Sequence, residues 1–327
     1  MFNKTKLKFD DIFENRLQEE DVREYLIKLY EKGETAEDIA SAASAMREHL
    51  IPLNIPYTLK EELIDNCGTG GDKSNSFNIS TTVAIVIAAC GSKVAKHGNR
   101  SITSNSGSAD MLEHLGVNLN INNDDQVKML EKTGFCFMFA QNHHPAMKFI
   151  MPIRKSIPHR TIFNILGPLS NPAMVHKQII GVFDQSFVPK IAQAMALLGA
   201  KRAMVVSSND HMDEISVSDV THAAFVDHGI IREFIIDPRE YGFDLYDKSE
   251  IVGGTPAQNA IITKGILDGS IEGAKRDIVI INAAAALLVD GKVHSTEEGI
   301  VMAKEAIQSG DALKKLEEII EVSNQFK

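Results

Sequence analysis

Several clusters in this 327-residue chain have the types and spacing that chemistry on a polyanion requires. In Gly68-Thr69-Gly70-Gly71-Asp72, glycines after the apolar Leu63-Ile64 let backbone N–H groups approach an anion closely, and Asn78-Ile79-Ser80-Thr81 then offers hydroxyls at a helix start. Two standard nucleotide loops are excluded: a Walker loop needs glycine where Cys67 and Asp72 stand, and a dinucleotide fingerprint needs one at Lys73. Lys96-His97-Gly98-Asn99-Arg100 sits behind a short apolar strand, the place where α/β sheets present ligand groups. Ser104-Asn105-Ser106-Gly107-Ser108-Ala109-Asp110 puts small hydroxyls and glycine at a helix entry. Asp213-Glu214, with Asn209, Asp210 and His211 nearby, supplies hard oxygen ligands of the kind Mg²⁺ takes. Singly, each has a plain alternative: the glycines read equally as a tight turn before a capped helix, and an acidic pair on a loop is commonly just solvated.

These clusters need elements to hold them. Up to Leu50 the chain reads as helices, with Thr35-Ala36-Glu37-Asp38 as a capping box and Ile39, Ala43, Met46 and Leu50 on one face. Pro52 and Pro56 block helix continuation, so an extended connector and the first domain boundary fall there. Beyond it, a helix around Val83, a strand at Lys93–Ala95, helices ending at Gly116 and Gly134, and strands at Phe135–Phe139, Gln178–Phe183 and Ala203–Ser207 alternate as in a largely parallel sheet. A hairpin turning at Asp227-His228-Gly229 adds an antiparallel edge. His144–Asn171 reads as a helical segment, opened by Pro145 and closed by Gly167-Pro168, that packs back on the N-terminal helices. From Thr255 onward the chain is helical again, with Ala283–Val289 buried. The expected class is α/β with a separate all-α domain: residues 1–60, with the returning segment 145–170, hinged to an α/β domain of residues 61–327.

Composition narrows the functions. With 34 Lys plus Arg against 44 Asp plus Glu, the net charge of −10 disfavours a broad nucleic-acid surface and leaves phosphate recognition to a focused site. Three scattered cysteines, Cys67, Cys90 and Cys136, fit neither a disulfide framework nor a zinc pattern, which points to a reducing cytoplasm. The charged stretch Met1–Glu20 and the shortness of the longest apolar runs argue against secretion and membrane insertion.

Taken in order, the clusters above, together with His144-Pro145-Ala146-Met147-Lys148 and Arg160-Thr161-Ile162-Phe163-Asn164-Ile165-Leu166-Gly167-Pro168, resemble the anthranilate phosphoribosyltransferases of tryptophan biosynthesis. The resemblance implies a small helical domain hinged to an α/β domain, homodimers formed through the helical domains, two Mg²⁺ ions, and small-molecule substrates with no nucleic acid or membrane partner. It assigns Gly68, Gly71, Asp72, Ser76, Asn78, Ser80, Thr81, Lys96, His97, Gly98, Asn99, Ser104 and Ser108 to phosphoribosyl pyrophosphate. Gly68, Asn99, Arg154, His97 and His144 fall to anthranilate, and Ser80, Asp213 and Glu214 to the metal. Lys96, Asp213 and Glu214 take the catalytic roles. Asn105, Ile157-Pro158-His159 and His211 depart from the family pattern, departures that bear on local loop geometry and not on reaction class. The competing readings are a pyrimidine nucleoside phosphorylase, similar in architecture, and a non-catalytic nucleic-acid-binding relative, which the charge and the intact motif set disfavour.

Overall fold

The computed structural model describes residues 3–100 and 105–326. Helices α1 (Asn3–Phe13), α2 (Glu19–Lys32) and α3 (Ala36–Glu48) come first. At the start of α3, Thr35 Oγ1 accepts the Asp38 N–H at 3.1 Å and the Asp38 carboxylate accepts the Thr35 N–H at 3.2 Å, the reciprocal box its sequence spells. Ile39, Ala43, Met46 and Leu50 are all buried, as their spacing requires. Residues 51–56 run extended but not loose: the N–H groups of Ile51 and Leu53 donate to the carbonyls of His143 and Pro172 at 2.8 and 3.0 Å.

A short α4 (Tyr57–Lys60) leads into β1 (Leu63–Gly68), α5 (Ile79–Ala89), β2 (Lys93–Gly98), α6 (Ser108–His114), α7 (Asn123–Thr133) and β3 (Phe135–Phe139). Next come α8 (Ala140–His143), α9 (Met147–Ser156), α10 (Phe163–Leu169), β4 (Lys177–Gly181), α11 (Val188–Leu197) and β5 (Arg202–Ser208). A hairpin of β6 (Thr221–Asp227) and β7 (Ile230–Ile236) precedes α12 (Pro256–Leu267), α13 (Ala274–Asp290), α14 (Thr296–Gln308) and α15 (Asp311–Ser323).

The seven strands form one sheet in the order β3-β2-β1-β4-β5-β6-β7, parallel from β3 to β5 and antiparallel at the β6–β7 edge. The hairpin turns at His228-Gly229, both with positive φ (46° and 83°), the two-residue turn that matches strand twist. This is the mostly parallel sheet with an antiparallel edge that the pattern predicts.

Two expectations fail locally. The segment His144–Asn171 is two helices, not one: Ile157 is extended (φ −95°, ψ 124°) ahead of Pro158, whose ring disfavours helical backbone at the preceding residue. Pro145 lies outside α9, and α10 runs through Gly167 and Pro168 to Leu169. The strand expected to reach Phe183 stops pairing as β4 at Gly181.

Strand alternation sorts the core. One face, carrying Ile64, Val94, Phe137, Ile179 and Val206, is covered by α5 and the C-terminal helices around α13. On the other, Ile180, Val205 and Val226 join Phe9, Leu26, Ile39, Ile150 and Phe163, so α9, α10 and α11 share one apolar cluster with α1–α3. Half-buried Arg47 of α3 donates to the Leu169 carbonyl at 2.7 Å, fastening the end of α10. A separate cluster of Leu63, Ala95 and Met138 lies on this same face. Between the two sits a polar seam: Asp65 accepts from Asn171 Nδ2 (2.8 Å), Gln178 Nε2 (3.2 Å) and the His97 N–H (3.2 Å). Burial, foremost, raises the Asp65 carboxyl above its usual range, and Lys96 opposes that rise.

Candidate active site

The site forms along the carboxyl ends of β1, β2, β4 and β5. Gly68 and Gly181 pair in register at adjoining strand ends, and the loop bearing Asp213 lies directly over them. A Cβ on Gly68 would fall 2.1 Å from Asp213 Oδ2, and one on Gly181 would fall 1.5 Å from the Asp213 carbonyl, so only glycine at both positions lets that loop close down. Asp213 Oδ2 then accepts the Gly70 N–H at 2.7 Å, joining residues 143 apart in sequence.

The glycine loop is repeatedly left-handed, at Gly70 (φ 67°), Gly71 (φ 74°), Lys73 (φ 60°) and Asn75 (φ 54°). Such a path turns successive N–H groups toward a common concavity. Asp72 caps it, with Oδ1 accepting the Ser74 N–H at 3.1 Å, and the Ser74 hydroxyl bonds that of Ser76 at 3.1 Å. Arg160, from the α9–α10 junction, donates to the Gly71 carbonyl and stacks on Phe183, its guanidinium 3.6 Å from the ring centroid.

Beneath the loop, Asn78 occupies the N-cap position of α5, and Ser80 and Thr81 lie in its first turn. Thr81 Oγ1 is buried without a hydrogen-bond partner among the described residues. Lys96 is only 1% exposed, and its ammonium points inward to Asn66 O (2.5 Å) and Ser80 Oγ (3.3 Å). Gly98 abuts the Phe137 ring and Ser108, where a Cβ would come within 2.7 Å of ring carbon. The Asn99 carbonyl accepts the Ala109 N–H at 3.3 Å, holding the start of α6 against β2. Arg100, grouped with the phosphate-facing residues by sequence, turns outward instead to Asp110 (2.8 Å) and Glu113 (2.6 Å). Ser104 lies outside the described residues.

The acids carry a marked electrostatic strain. Asp213 and Glu214 keep some exposure at the mouth of the cleft but sit deep enough that desolvation dominates: the Asp213 carboxyl rises to about 7, with repulsion from Asp72 adding to it. Glu214 is pushed well up by burial and then by Asp213, while Lys96 pulls it back. Asp72 Oδ2 is buried with no hydrogen-bond partner among the described residues. No three His, Cys, Asp or Glu side chains make a ready metal cage among the described residues. Mutually repelling acids beside an orphaned carboxylate oxygen nevertheless fit Mg²⁺, which takes one or two protein carboxylates and fills its shell with water and phosphate oxygens.

Across the strand the chemistry changes. His97 Nε2 and His144 Nε2 lie 3.3 Å apart, both rings buried. Desolvation, reinforced by the neighbouring histidines, holds His97 well below its usual range, and His144 falls to about 4. Both are therefore neutral near pH 7. His143 is turned away, bonding the Ile51 carbonyl at 2.8 Å. Arg154, half-buried on α9, meets the Phe163 ring at 5.6 Å and pairs with no carboxylate among the described residues; burial lowers its pKa.

The sequence reading brings most of its residues to one place and misses the supports: Asp65, Asn66, Gly181 and the anchoring role of Arg160. Polar Asp65-Asn66 in an apolar run, and Gly181 ending another, were the available signals.

Residues 60–313, which carry the mostly parallel sheet with the glycine loop and the paired acids at its carboxyl edge, match the glycosyl transferase family α/β domain. The anthranilate phosphoribosyltransferase of Methanobrevibacter smithii is 46% identical over 315 residues, spanning 96% of this chain and 92% of its own. The crystal structure of that enzyme from Thermus thermophilus superposes with a TM-score of 0.92 at 34% identity, covering 99% of this chain and 96% of its own. The Saccharomyces cerevisiae enzyme in complex with PRPP and Mg gives 0.85 at 31% identity, covering 94% and 86%. The chain belongs to the anthranilate phosphoribosyltransferase family.

Proposed function

We propose that this protein transfers the phosphoribosyl group of phosphoribosyl pyrophosphate to the amine of anthranilate, giving N-(5-phosphoribosyl)anthranilate and pyrophosphate, in tryptophan biosynthesis. The observation that carries the reading is the closure of the glycine loop onto Asp213, through Gly70, in a chain of this family. Loop N–H groups, with Asp72, Ser76, Asn78, Thr81 and Ser108, hold the donor's phosphates and ribose. Asp213, Glu214 and Ser80 would hold Mg²⁺, two ions in all, whose charge offsets that of the departing pyrophosphate.

Lys96 contributes from below: its ammonium orients Ser80 and keeps positive charge beside Glu214. On the far side, Arg154 grips the anthranilate carboxylate with its fork of N–H donors, and Asn99, Gly68, His97 and His144 shape the slot for the ring. The arylamine is neutral at pH 7, so its lone pair forms the bond to the anomeric carbon as the carbon–oxygen bond to pyrophosphate breaks, and the amine then sheds a proton. Neutral imidazoles suit this slot because they neither repel the sugar's developing positive charge nor protonate the amine. Positioning and exclusion of water by the helical layer supply most of the acceleration.

Residues 1–60 with 145–170 form the hinged helical domain in this reading, and residues 61–327 the α/β domain. A homodimer through the helical layer is part of the same proposal, supported by Leu7 on α1 (62% exposed) and Phe149 on α9 (51% exposed); light scattering on the eluted protein checks it. A cytoplasmic location also belongs to the proposal, and no helix among the described residues is long and apolar enough to cross a membrane.

The deciding assay mixes pure protein, anthranilate, phosphoribosyl pyrophosphate and Mg²⁺, and follows the loss of anthranilate fluorescence. Turnover of thymidine with phosphate instead, or retention of RNA, would reject the assignment.

A further inference from the structure

Asn259, on the first turns of α12, is 1% exposed and lies 181 residues from Asn78 in sequence. Its Oδ1 accepts the Gly254 N–H at 2.7 Å, and this fixes which way its own amide faces. Its Nδ2 must then point at Asn78, and it donates to Asn78 Oδ1 at 2.9 Å. The Ser106 hydroxyl donates to the same oxygen at 2.9 Å, while Asn78 Nδ2 donates back to the Ser106 carbonyl at 3.3 Å. Two donors on one oxygen settle the orientation of the Asn78 amide. Among the described residues, its second N–H has no protein acceptor.

The backbone around Asn259 is built for this contact. Gly253 N–H donates to the Asn75 carbonyl at 2.9 Å, Phe77 N–H to the Ile251 carbonyl at 3.3 Å, and Ser76 bridges Val252 in antiparallel fashion. A Cβ at Gly253 would lie 2.6 Å from Phe77 Cα and 2.7 Å from Asn259 Oδ1, so this turn is pressed against the end of the glycine loop. Hence residues 251–253 run as a short antiparallel ladder along residues 75–77, and Asn259, from the helix that follows, reaches Asn78 at the end of that strip.

We propose that Asn259 is a positioning residue for the donor site: it orients the Asn78 amide toward phosphate and locks together the loops that end at Asn78 and begin at Ser106. The assignment rests on the functional reading above. Asn78 belongs to that reading, whereas Asn259 touches no substrate and acts only through it.

The test is calorimetric titration of phosphoribosyl pyrophosphate with Mg²⁺ into wild type, Asn259→Ala, Asn78→Ala and the double variant, with both KM values and melting curves in parallel. Asn259→Ala should weaken donor binding about tenfold and leave the anthranilate KM within about twofold, the scale of one oriented hydrogen bond. Because the effect passes through Asn78, the double variant should bind no worse than Asn78→Ala alone. Asn259→Asp keeps the Gly254 contact but offers Asn78 no donor, so it should weaken donor binding at least as much, and it serves if the alanine variant does not fold. Additive losses, equal changes in both KM values, or unaltered donor binding in a folded variant would each overturn the assignment. A wild-type protein that binds no donor would overturn the functional reading instead.

Discussion

Lys96 and His97 are neighbours on β2, yet they serve opposite halves of the site. Lys96 faces α5 and the acids, in a region of unbalanced negative charge, loop backbone with positive φ and an orphaned carboxylate oxygen. His97 faces His144, in a region whose buried imidazoles are held neutral. Strand alternation alone separates them. One half is electrostatically incomplete, which in the proposed function cation and phosphate would offset; the other is already neutral, which in that proposal suits a flat aromatic amine with one carboxylate. The comparison teaches that a single strand can present two incompatible chemistries a few ångströms apart, provided the sheet keeps water and charge from passing between them.

Breaking the charged half should have the largest effect. Asp213→Asn combined with Glu214→Gln is expected to lower kcat at least on the order of a hundredfold with the anthranilate KM little changed, read from anthranilate fluorescence. Near-normal turnover would remove the acids from the mechanism. Arg154→Ala should cut kcat/KM for anthranilate roughly ten- to hundredfold, the loss of a charge-assisted contact, and leave donor binding intact. An unchanged anthranilate KM would contradict its role on the neutral half. Arg160→Ala should raise the KM for phosphoribosyl pyrophosphate about tenfold by releasing Gly71, while Arg160→Lys restores it only in part because the stacking on Phe183 is lost. Equal donor KM values in all three proteins would show that the loop holds its shape without this clamp.

The smallest effect concerns pH and the metal-free protein. Burial, and then repulsion from Asp72, raises the Asp213 carboxyl from an ordinary 3.8 to about 7 in the folded chain, and Asp213 in turn repels Glu214. Between those values the folded state holds a proton that the unfolded state has lost. Stability therefore falls as pH rises from about 4 to about 7, and the Asp213 contribution is flat above that. Asp213→Asn should stabilise the metal-free protein more at pH 8 than at pH 5, by on the order of 1–2 kcal/mol once relaxation is allowed for. Equal melting shifts at both pH values would mean the acids are not strained.

Much of this was legible before any coordinates. Turn glycines at Gly116 and Gly134, the capping box at Thr35 and the His228-Gly229 hairpin are local signals, because each depends on backbone torsions or contacts a few residues away. The glycine loop, the Lys96 strand end and the acidic pair were likewise legible as polar clusters, and the fold brings them to one end of the sheet. β1 was harder to see. Asp65 and Asn66 break its apolar run, and they are tolerated there only because Asn171, Gln178, Lys96 and the His97 backbone converge on them from distant parts of the chain.

The sequence by itself determined the class of fold, the family and the polar clusters that gather at one end of the sheet, since types, turns and periodicities are local properties. Tertiary structure alone decided that Arg100 faces outward, that Arg160 ties to Gly71 and Asn259 to Asn78, and that Asp213 settles over Gly68 and Gly181. The physical reason is that hydrogen-bond partners, burial and the pKa shifts they cause depend on which groups are close in space. Closeness between residues more than a hundred positions apart is set by packing rather than by any neighbour in the chain.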